Sequence, residues 1–260
     1  MKVHEVRFEL RGINFTYDTG EGFAVSDVNL TLQPGQIAAV LGPNGSGKTT
    51  MLKLANGRLK PEAGEIRYEG RPLQSYSRRE IGQRLGFVPQ QEKISFDYTV
   101  QEYVSMGRTP WLKPLDVPGR EDMEITTEAI HEVGMDRYLN QKVTKLSGGQ
   151  LQLVLLARAL AQQTGVLLLD EASSQLDLGN KRLFLDILHR LAGQGKSILL
   201  TSHEPDFAIA AATKVILMKR GKVLVAGPMD KVLTKDNLET IYETPIELVE
   251  IGGRKVVLWT

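Results

Sequence analysis

The sequence predicts an α/β fold, and three observations along the chain support this prediction. Residues 36–41, 166–169 and 197–202 are short apolar runs, typical of strands buried on both faces of a parallel sheet. Residues 3–32 alternate apolar and polar side chains, the two-residue period of a strand with one buried face. Residues 99–145 carry helical patterns interrupted by prolines. We therefore expect a parallel core, an antiparallel β layer, an inserted helical subdomain and a small C-terminal helix-hairpin extension.

The composition limits the class of protein. With 260 residues, 42% of them hydrophobic, the chain is long enough for one large α/β domain or two small ones. The net charge of +1 gives no argument for binding nucleic acid or an acidic membrane surface. The absence of cysteine excludes disulfides and thiolate metal sites. Because no run of about 18 apolar residues and no apolar N-terminal signal are present, we expect a soluble, cytoplasmic protein that acts at a membrane only through a partner.

A phosphate-binding loop is the clearest motif. Residues 42–49 match the pattern G-x-x-x-x-G-K-[ST], between the apolar run 36–41 and residues 49–59, whose spacing favours a packed helix. Glycines let the backbone turn sharply and approach phosphates, and the loop amides then form an anion site at a helix start. A glycine-rich turn with a surface lysine is the alternative, but it leaves the flanking strand and helix unexplained.

Each part of this loop has an expected role toward a nucleoside triphosphate and Mg²⁺. Lys48 is expected to reach the β- and γ-phosphates, and the Thr49 hydroxyl is expected to bind Mg²⁺. The nucleotide-binding residues predicted from the loop are Gly42, Pro43, Asn44, Gly45, Ser46, Gly47, Lys48, Thr49 and Thr50.

The predicted β layer surrounds this loop in the sequence. Its first strands are separated by a turn at residues 18–22, and we expect the layer to continue over residues 61–90, including a strand at 86–88. Tyr17 precedes the turn and suits stacking on an adenine ring. A half-buried strand tyrosine is the favoured alternative when the residue is considered alone.

The helical block begins with a capping box at Thr99 and Glu102, which predicts a helix through Met106. A second helix is predicted over residues 121–133, where apolar side chains recur at four-residue steps. Between them we expect a loop without regular structure, marked by Pro110, Pro114 and Pro118.

Two adjacent carboxylates end an apolar strand. Asp170 and Glu171 follow residues 166–169, at the strand end where α/β sheets bind ligands. We expect Asp170 to hold Mg²⁺ through water and Glu171 to polarise the attacking water. The alternative is a solvated acidic turn, which we consider less consistent with the apolar strand before it.

Two further polar residues follow predicted strands. His203 comes directly after residues 197–202 and is placed to contact a γ-phosphate. Gln90 follows the strand that Pro89 ends, and its amide suits either Mg²⁺ or an ordered water. The respective alternatives are a histidine without a catalytic role and an exposed loop glutamine.

A second glycine-containing helix start lies at residues 146–150, before a helix predicted over 151–161. Ser147 is a good N-cap, and Gly148 and Gly149 leave bare amide groups that suit an anion. Ordinary helix capping is the alternative. Residues 174–177 form a predicted tight loop before another helix.

The C-terminal part carries no phosphate chemistry. A helical tail is predicted over residues 229–242, followed by a hairpin of residues 246–251 and 254–258 with a two-residue turn. We expect this extension either to pack on the core or to form a surface for a partner or for self-association.

Taken together, these motifs resemble an ABC-type ATPase subunit over about residues 3–228, in the order typical of that family. The resemblance implies a P-loop NTPase (RecA-like) core, with residues 1–90 and 165–228 as nucleotide-binding core and β layer. It makes residues 91–164 the helical signature subdomain and residues 229–260 the C-terminal extension.

The resemblance also carries roles onto individual residues. Tyr17 matches the adenine-stacking aromatic, Gln90 the lid-loop glutamine, Asp170 the Mg²⁺ carboxylate, Glu171 the general base and His203 the switch histidine. It implies ATP and Mg²⁺ as ligands. Residues 146–150 match the family signature, and the resemblance implies a homodimer in which the signature of one protomer closes over the ATP of the other. The residues expected to act on the partner's ATP are Ser147, Gly148, Gly149, Gln150 and Asp177.

Residues 104–110 resemble the M-G-R-x-P run of importer ATPases for ferric siderophores, haem, cobalamin and molybdate, and residues 233–238 are similar to the same subgroup. This implies two integral-membrane permease subunits, an extracytoplasmic substrate-binding protein, a location at the cytoplasmic face of the membrane, and no nucleic-acid partner. The cargo itself is not encoded in this chain.

Four positions depart from the family pattern: Ala172 replaces a usual Pro, Ser173 a usual Thr, and Leu151 and Leu153 replace polar or basic residues. None removes a charged catalytic group, so we expect ATPase activity to be retained. The rival function is a soluble ABC ATPase acting on ribosomes or DNA, for which a second domain, a long coiled coil or a basic stripe is missing. A small-molecule kinase would leave residues 146–150 unexplained.

Overall fold

The computed structural model describes residues 7–17, 23–252 and 254–259. The strand pattern predicted at residues 3–6 and the turn at residues 18–22 lie outside the described residues. In the described part, no helix has the length and apolar character needed to cross a membrane.

The described part of the chain forms twelve strands and nine α-helices. The strands are β1 (Phe8–Thr16), β2 (Phe23–Leu32), β3 (Ile37–Leu41), β4 (Ala63–Tyr68), β5 (Arg71–Pro72), β6 (Leu85–Val88), β7 (Val166–Asp170), β8 (Ser197–Ser202), β9 (Lys214–Lys219), β10 (Lys222–Pro228), β11 (Ile246–Ile251) and β12 (Arg254–Trp259). The α-helices are α1 (Lys48–Ala55), α2 (Arg78–Gly82), α3 (Val100–Ser105), α4 (Arg120–Glu132), α5 (Gly148–Ala161), α6 (Leu178–Gly193), α7 (Pro205–Ala211), α8 (Met229–Val232) and α9 (Lys235–Tyr242). Short 3₁₀ helices lie at Leu73–Ser75, Met106–Trp111, Asp136–Tyr138 and Val143–Lys145.

The core is a six-stranded sheet in the order β10-β9-β3-β8-β7-β6, parallel except for the edge strand β10. Every residue of β3, β7 and β8 is buried, as the continuous apolar runs predict. The carboxyl ends of these strands therefore meet at one edge of the sheet, which is where the polar residues predicted to be functional lie.

The antiparallel β layer is a separate four-stranded sheet in the order β2-β1-β4-β5. The prediction that this layer extends to residue 90 is wrong, because β6 pairs in parallel with β7, from Leu85 opposite Val166 to Val88 opposite Leu169. After β5 and the capped helix α2 the chain crosses to the other sheet. A four-residue strand carries too little periodicity to indicate which sheet it joins.

Two hydrophobic clusters cover the faces of the parallel sheet. Because successive strand residues point to opposite faces, Ala38 and Val40 pack with α1 and the antiparallel sheet, whereas Ala39 and Leu41 pack with helices of the other cluster. The second cluster includes buried residues of α5, α6 and α7. The sheet is therefore enclosed on both sides by packed apolar side chains.

Capping boxes begin two helices of the helical block. Thr99 and Glu102 cap α3, and Ser147 and Gln150 cap α5, so that α5 begins at Gly148, three residues before the predicted start. The loop predicted around the prolines is partly wrong, because Pro110 lies inside the 3₁₀ helix Met106–Trp111. The fixed φ of proline is compatible with such a short helix.

The C-terminal extension packs on the core. The helical tail forms as two helices, α8 and α9, and the predicted hairpin forms with Ile251 opposite Arg254. The Val257 amide donates to Asp206 Oδ1 at 3.1 Å, which attaches the hairpin to α7. Lys255 Nζ donates to the carbonyl of Leu233 at 3.0 Å, which joins the hairpin to the segment between α8 and α9.

Candidate functional site

The phosphate-binding loop joins the end of β3 to the start of α1. A Cβ atom placed on Gly42 would lie 2.1 Å from the Met218 carbonyl oxygen, and one on Gly47 would lie 2.5 Å from that of Ala24. Gly47 also has φ of 98° at the N-cap of α1, a left-handed conformation that favours glycine. The backbone on both sides of the loop is therefore too close for any side chain at these two positions.

The Lys48 side chain packs against the backbone of its own loop and is 4% exposed. Its ammonium donates to the carbonyls of Gly42 at 2.8 Å and Pro43 at 3.1 Å. It also lies 3.4 Å from Glu171 Oε1. The buried positive charge is thus compensated by acceptors of the loop itself and by the predicted general base.

Asp170, the last residue of β7, is joined to the loop through hydroxyl groups. Its Oδ1 accepts from Thr49 Oγ1 at 3.0 Å and from Thr201 Oγ1 at 2.9 Å. Burial raises the pKa of Asp170, and the two hydroxyl donors partly oppose this rise. Thr49 and Asp170, predicted separately as Mg²⁺ ligands, therefore lie in direct contact.

Carboxylate and hydroxyl oxygens are the ligand type that Mg²⁺ prefers, and it is commonly held by one or two carboxylates together with substrate phosphates. Among the described residues, no group of three or more His, Cys, Asp or Glu side chains could form an all-protein metal cage. The Thr49–Asp170 pair beside a phosphate loop fits a magnesium ion that is completed by a bound nucleotide.

Glu171 is the residue on which the predicted catalytic side chains converge. Its Oε2 accepts from Gln90 Nε2 at 2.9 Å and lies 3.0 Å from His203 Nδ1. Its backbone amide donates to Thr201 Oγ1 at 3.0 Å. Glu171 is 8% exposed and has φ of 45°. A left-handed glutamate stores conformational strain, which occurs preferentially at functional sites.

A cavity of about 440 Å³ opens over the loop. Its walls are Tyr17, Ala24, Asn44, Gly45, Ser46, Gly47, Lys48, Thr49, Thr50, Gln90 and Glu171. The Ser46 hydroxyl is buried and has no hydrogen-bond partner among the described residues. A buried hydroxyl, a buried ammonium and close-approach glycines together fit the phosphates of a nucleotide.

Tyr17 stands at the rim of this cavity and is 40% exposed. Its hydroxyl lies 3.2 Å from Thr50 Oγ1, and its ring meets Phe15 edge-on with centroids 5.0 Å apart. The ring is therefore held in place beside the phosphate loop while a large part of its surface stays accessible. Adenine stacking on Tyr17 remains a prediction.

The signature residues lie outside this cavity in the same chain. Ser147 Oγ accepts from the Gln150 amide at 3.3 Å, which is the ordinary capping that the alternative predicted. A Cβ atom on Gly148 would lie 2.6 Å from Gln175 Oε1, so the signature packs against the predicted tight loop. Asp177, at the end of that loop, caps α6 by accepting from the Asn180 amide at 2.8 Å.

Two residues near the site were not predicted. Thr201 binds Asp170 and Glu171, and its only sequence signal is a hydroxyl near the end of an apolar strand. Tyr242, on α9, has a buried hydroxyl without a hydrogen-bond partner in the described part of the chain. Burial raises the pKa of Tyr242 and the negative charge of Glu171 raises it further. No local pattern indicates that the charge of Glu171 acts on a residue of a C-terminal helix.

The four departures from the family pattern lie at buried or half-buried positions. Ala172 and Ser173, directly after Glu171, are each 4% exposed. Leu153 is buried in the core cluster, and Leu151 is half-buried against it. The leucines of α5 are thus used for packing, and no charged group of the site depends on them.

A second cavity, of about 520 Å³, lies between the segment after Gln90 and the 3₁₀ helix Met106–Trp111. Its wall includes Glu92, Met106 and Arg158, together with apolar side chains such as Phe87 and Pro110. We call it the helical groove. A neighbouring depression of about 730 Å³ shares Met106 and Pro110 with it and carries the exposed Leu115 and Val117.

Known proteins are similar to this chain in sequence and in fold. The model of the family described as ABC transporter matches residues 25–174. The hemin import ATP-binding protein HmuV of Nocardia farcinica is 33% identical over 98% of this chain and 89% of its own length.

Two solved structures are also similar. An ABC transporter of metal-chelate type in an inward-facing conformation superposes with a TM-score of 0.84, at 30% identity over 98% of this chain and 97% of that one. A dimeric ATP-binding cassette in a post-hydrolysis state, bound to ADP and phosphate, has a TM-score of 0.76 at 28% identity, over 85% of this chain and 98% of that one.

Proposed function

This chain belongs to the ABC transporter family, and we propose that it is the ATP-binding and ATP-hydrolysing subunit of an importer. The observation that carries the proposal is the convergence of Lys48, Gln90 and His203 on Glu171 beside the phosphate loop. A buried carboxylate with these partners, next to a cradle for phosphates, is suited to activating water against a γ-phosphate.

The phosphate loop would hold ATP through its amide groups, with Ser46 Oγ as an additional donor to a phosphate oxygen. Lys48 would leave the loop carbonyls and Glu171 for the β- and γ-phosphate oxygens, which are stronger acceptors for an ammonium. Thr49 and Asp170 would hold Mg²⁺, which neutralises charge on the transferred phosphoryl group. Tyr17 would stack on the adenine.

Glu171 would take a proton from the attacking water, since its carboxylate is buried and loses one cationic neighbour when Lys48 turns to the phosphates. Gln90, in the segment after β6, would orient the water and contact Mg²⁺. His203 would hold the Glu171 carboxylate in position through its Nδ1, 3.0 Å from Oε2, and would meet the γ-phosphate from the end of β8. Lys48 would stabilise the charge that develops on the phosphoryl oxygens.

The complete site would be formed by two copies of this chain. Ser147, Gly149 and Asp177 are not among the residues that line the cavity of their own protomer, although the Ser147 hydroxyl and the Gly149 amide suit a phosphate. In a homodimer, the signature residues Ser147–Gln150 of one protomer would close over the ATP of its partner, giving two shared sites. The similar ADP- and phosphate-bound cassette is itself dimeric.

The helical groove would receive a cytoplasmic segment of an integral-membrane permease, with one permease subunit per protomer. Its wall combines apolar side chains such as Phe87 and Met106 with charged ones, and the exposed Trp111, Leu115 and Val117 lie beside it, which suits a short amphipathic helix. The protein would then act at the cytoplasmic face of the membrane, in one ATPase domain divided as the sequence predicts, with an extracytoplasmic binding protein delivering the cargo.

The cargo class follows from similarity. The 33% identical hemin-import ATPase and the metal-chelate transporter structure favour a metal chelate, such as haem or a ferric siderophore, with cobalamin and molybdate as the other members of the predicted class. No described residue is assigned to the cargo, whose choice would lie with the permease and the binding protein.

The test is purification of the tagged full chain from its host membranes in detergent, followed by mass spectrometry of co-purifying proteins and ATPase assay. We expect two copies of an integral-membrane protein and ATP turnover that depends on Mg²⁺. Recovery of ribosomes or DNA without a membrane protein would support the soluble ABC ATPase and contradict the importer.

A further inference from the structure

Gln90 lies in a segment that is bonded to helix α5 on both sides. Before Gln90, the carbonyl of Pro89 accepts from Gln152 Nε2 at 3.3 Å. After it, the carboxylate of Glu92 accepts from both Nη atoms of Arg158, at 2.7 and 2.6 Å. Gln152 and Arg158 are six residues apart on α5, or ~9 Å along its axis. The helix therefore holds the Gln90 segment at two separated points.

The contact between Arg158 and Glu92 is of a stronger type than a single hydrogen bond between neutral groups. It is a bidentate, charge-assisted pair, the geometry that gives both energy and directional specificity. Tyr103 adds its hydroxyl, which donates to Glu92 Oε1 at 2.7 Å and accepts from Arg158 Nη1 at 2.5 Å. The Arg158 guanidinium also stacks over the Tyr103 ring, 4.7 Å from its centroid. We call these three side chains the α5 clamp.

The charge state of the clamp follows from its contacts. Burial acts to raise the pKa of Glu92, but hydrogen bonds from Arg158 and Tyr103 outweigh it, and the pKa is lowered. Glu92 is therefore ionised at neutral pH, and the clamp is an ion pair rather than a neutral contact.

Regular secondary structure does not fix Gln90. Strand β6 ends at Val88, and the described chain from Pro89 to Tyr98 contains neither helix nor strand. Residues 89–92 are therefore anchored by side-chain contacts, from Gln152 and Arg158 of α5 and from Tyr103 of α3. At its other end α5 carries the signature glycines, and at its centre it is buried in the core, so it is a stiff connection.

We propose that Gln152 and Arg158 are positioning residues for Gln90. Helix α5 carries the Gln90 segment with it, so a displacement of the signature end of α5 changes the contact between the Gln90 amide and Glu171. When the ATP of the partner contacts Ser147, the movement of α5 is thereby transmitted to Glu171 in the protomer that carries this Ser147. This inference rests on the proposed ATP hydrolysis.

The test compares ATP turnover in four proteins: wild type, Glu92→Gln, Gln90→Ala and the double variant, each as the full chain with its co-purifying membrane proteins. Glu92→Gln keeps the side-chain size and removes the charge. We expect kcat to fall about fivefold, within the range of coupling measured for contacting residues. The KM for ATP should stay within about twofold, since no phosphate-loop contact is touched.

The double variant tests whether the clamp affects turnover through Gln90. If the clamp acts through Gln90, Glu92→Gln lowers kcat in the wild-type background and causes no further fall in the Gln90→Ala background. Arg120→Gln, which removes an exposed ion pair on α4 with Glu124, is the matched control and should leave kcat unchanged. Tyr103→Phe, which removes one hydroxyl only, serves if Glu92→Gln reduces folding, and the same pattern is expected.

Two results overturn the inference: an equal loss of kcat in both backgrounds, or no loss on removing the clamp charge. A wild-type protein that turns over no ATP would have a different meaning, because it overturns the proposed ATPase function itself and the inference with it. The readings are distinguishable because the wild-type rate is measured first.

Discussion

Lys48 Nζ lies 3.4 Å from Glu171 Oε1, and both side chains are at least nine-tenths buried. The two residues are brought together from the phosphate loop and from the end of β7. This pair joins the group expected to bind phosphate to the group expected to activate water. An incoming γ-phosphate competes with Glu171, and with the carbonyls of Gly42 and Pro43, for the same ammonium.

Replacement of Lys48 should therefore weaken nucleotide binding. In Lys48→Ala we expect the Kd for MgATP, measured by titration calorimetry, to rise about 10- to 100-fold, the equivalent of a lost hydrogen bond to a charged group. Lys60→Ala, at an exposed position beyond α1, is the control and should bind ATP normally. Wild-type affinity in Lys48→Ala would mean that the ammonium does not bind the phosphates.

Replacement of Glu171 should separate binding from hydrolysis. Glu171→Gln keeps the shape of the side chain and loses the capacity to take a proton, so kcat should fall by about 10²- to 10⁴-fold. The Kd for ATP should change little, because the phosphate-loop contacts remain. Phosphate release measured under saturating ATP checks the rate, and unchanged turnover would remove Glu171 as the general base.

Asp170 should make the protein less stable at neutral pH than a neutral residue would. Burial raises the pKa of Asp170, so the native protein binds a proton more readily than the unfolded chain does. The stability contributed at this site therefore falls as pH rises through the interval between the unfolded and the folded pKa, and stays low above it.

Asp170→Asn, which cannot ionise and keeps an oxygen for Thr49 and Thr201, should accordingly be more stable than wild type at pH 7 without nucleotide. The difference should shrink as the pH is lowered through the carboxyl range, where Asp170 becomes neutral. Urea unfolding at several pH values measures this, and a difference that grows toward low pH would contradict it. The same variant should lose Mg²⁺-dependent ATP turnover.

Much of this site follows from local patterns. The loop 42–49, the acids at the end of β7 and His203 at the end of β8 are all polar motifs attached to apolar strands, and parallel strands bring their ends to one edge. Chain order therefore predicts that these groups are neighbours. Chain order does not predict which atoms touch, and the Lys48–Glu171 pair depends on side-chain packing across the sheet edge.

The residues that were missed share one physical cause. Thr201 looks like one more residue of an apolar strand, and its role is visible only when β7 and β8 are placed side by side. Tyr242 lies on α9, whose position depends on packing against the core. The sheet assignment of β6 failed for the same reason, because a four-residue strand acquires its partner from tertiary contacts.

Thr201 provides a stability test of this argument. Its hydroxyl donates to Asp170 and accepts from the Glu171 backbone amide, so Thr201→Val leaves that buried amide without a partner and removes one of the two hydroxyl donors to Asp170. We expect a loss of about 1–3 kcal/mol in the free energy of unfolding. Thr127→Val, at an exposed position of α4 where the hydroxyl bonds only the Met123 carbonyl, should change it by less than about 0.5 kcal/mol. Equal losses in the two variants would show that the Thr201 bonds carry no special weight.

The central claim is that two copies of this chain enclose ATP between the phosphate loop of one and Ser147 of the other. Sedimentation velocity of Glu171→Gln with saturating MgATP measures it most directly. We predict a dimer that reverts to monomer without nucleotide and that fails to form when Gly149→Asp is added, since an acidic side chain there would repel the partner's phosphates. A variant that binds ATP tightly and stays monomeric at micromolar concentration would contradict the account.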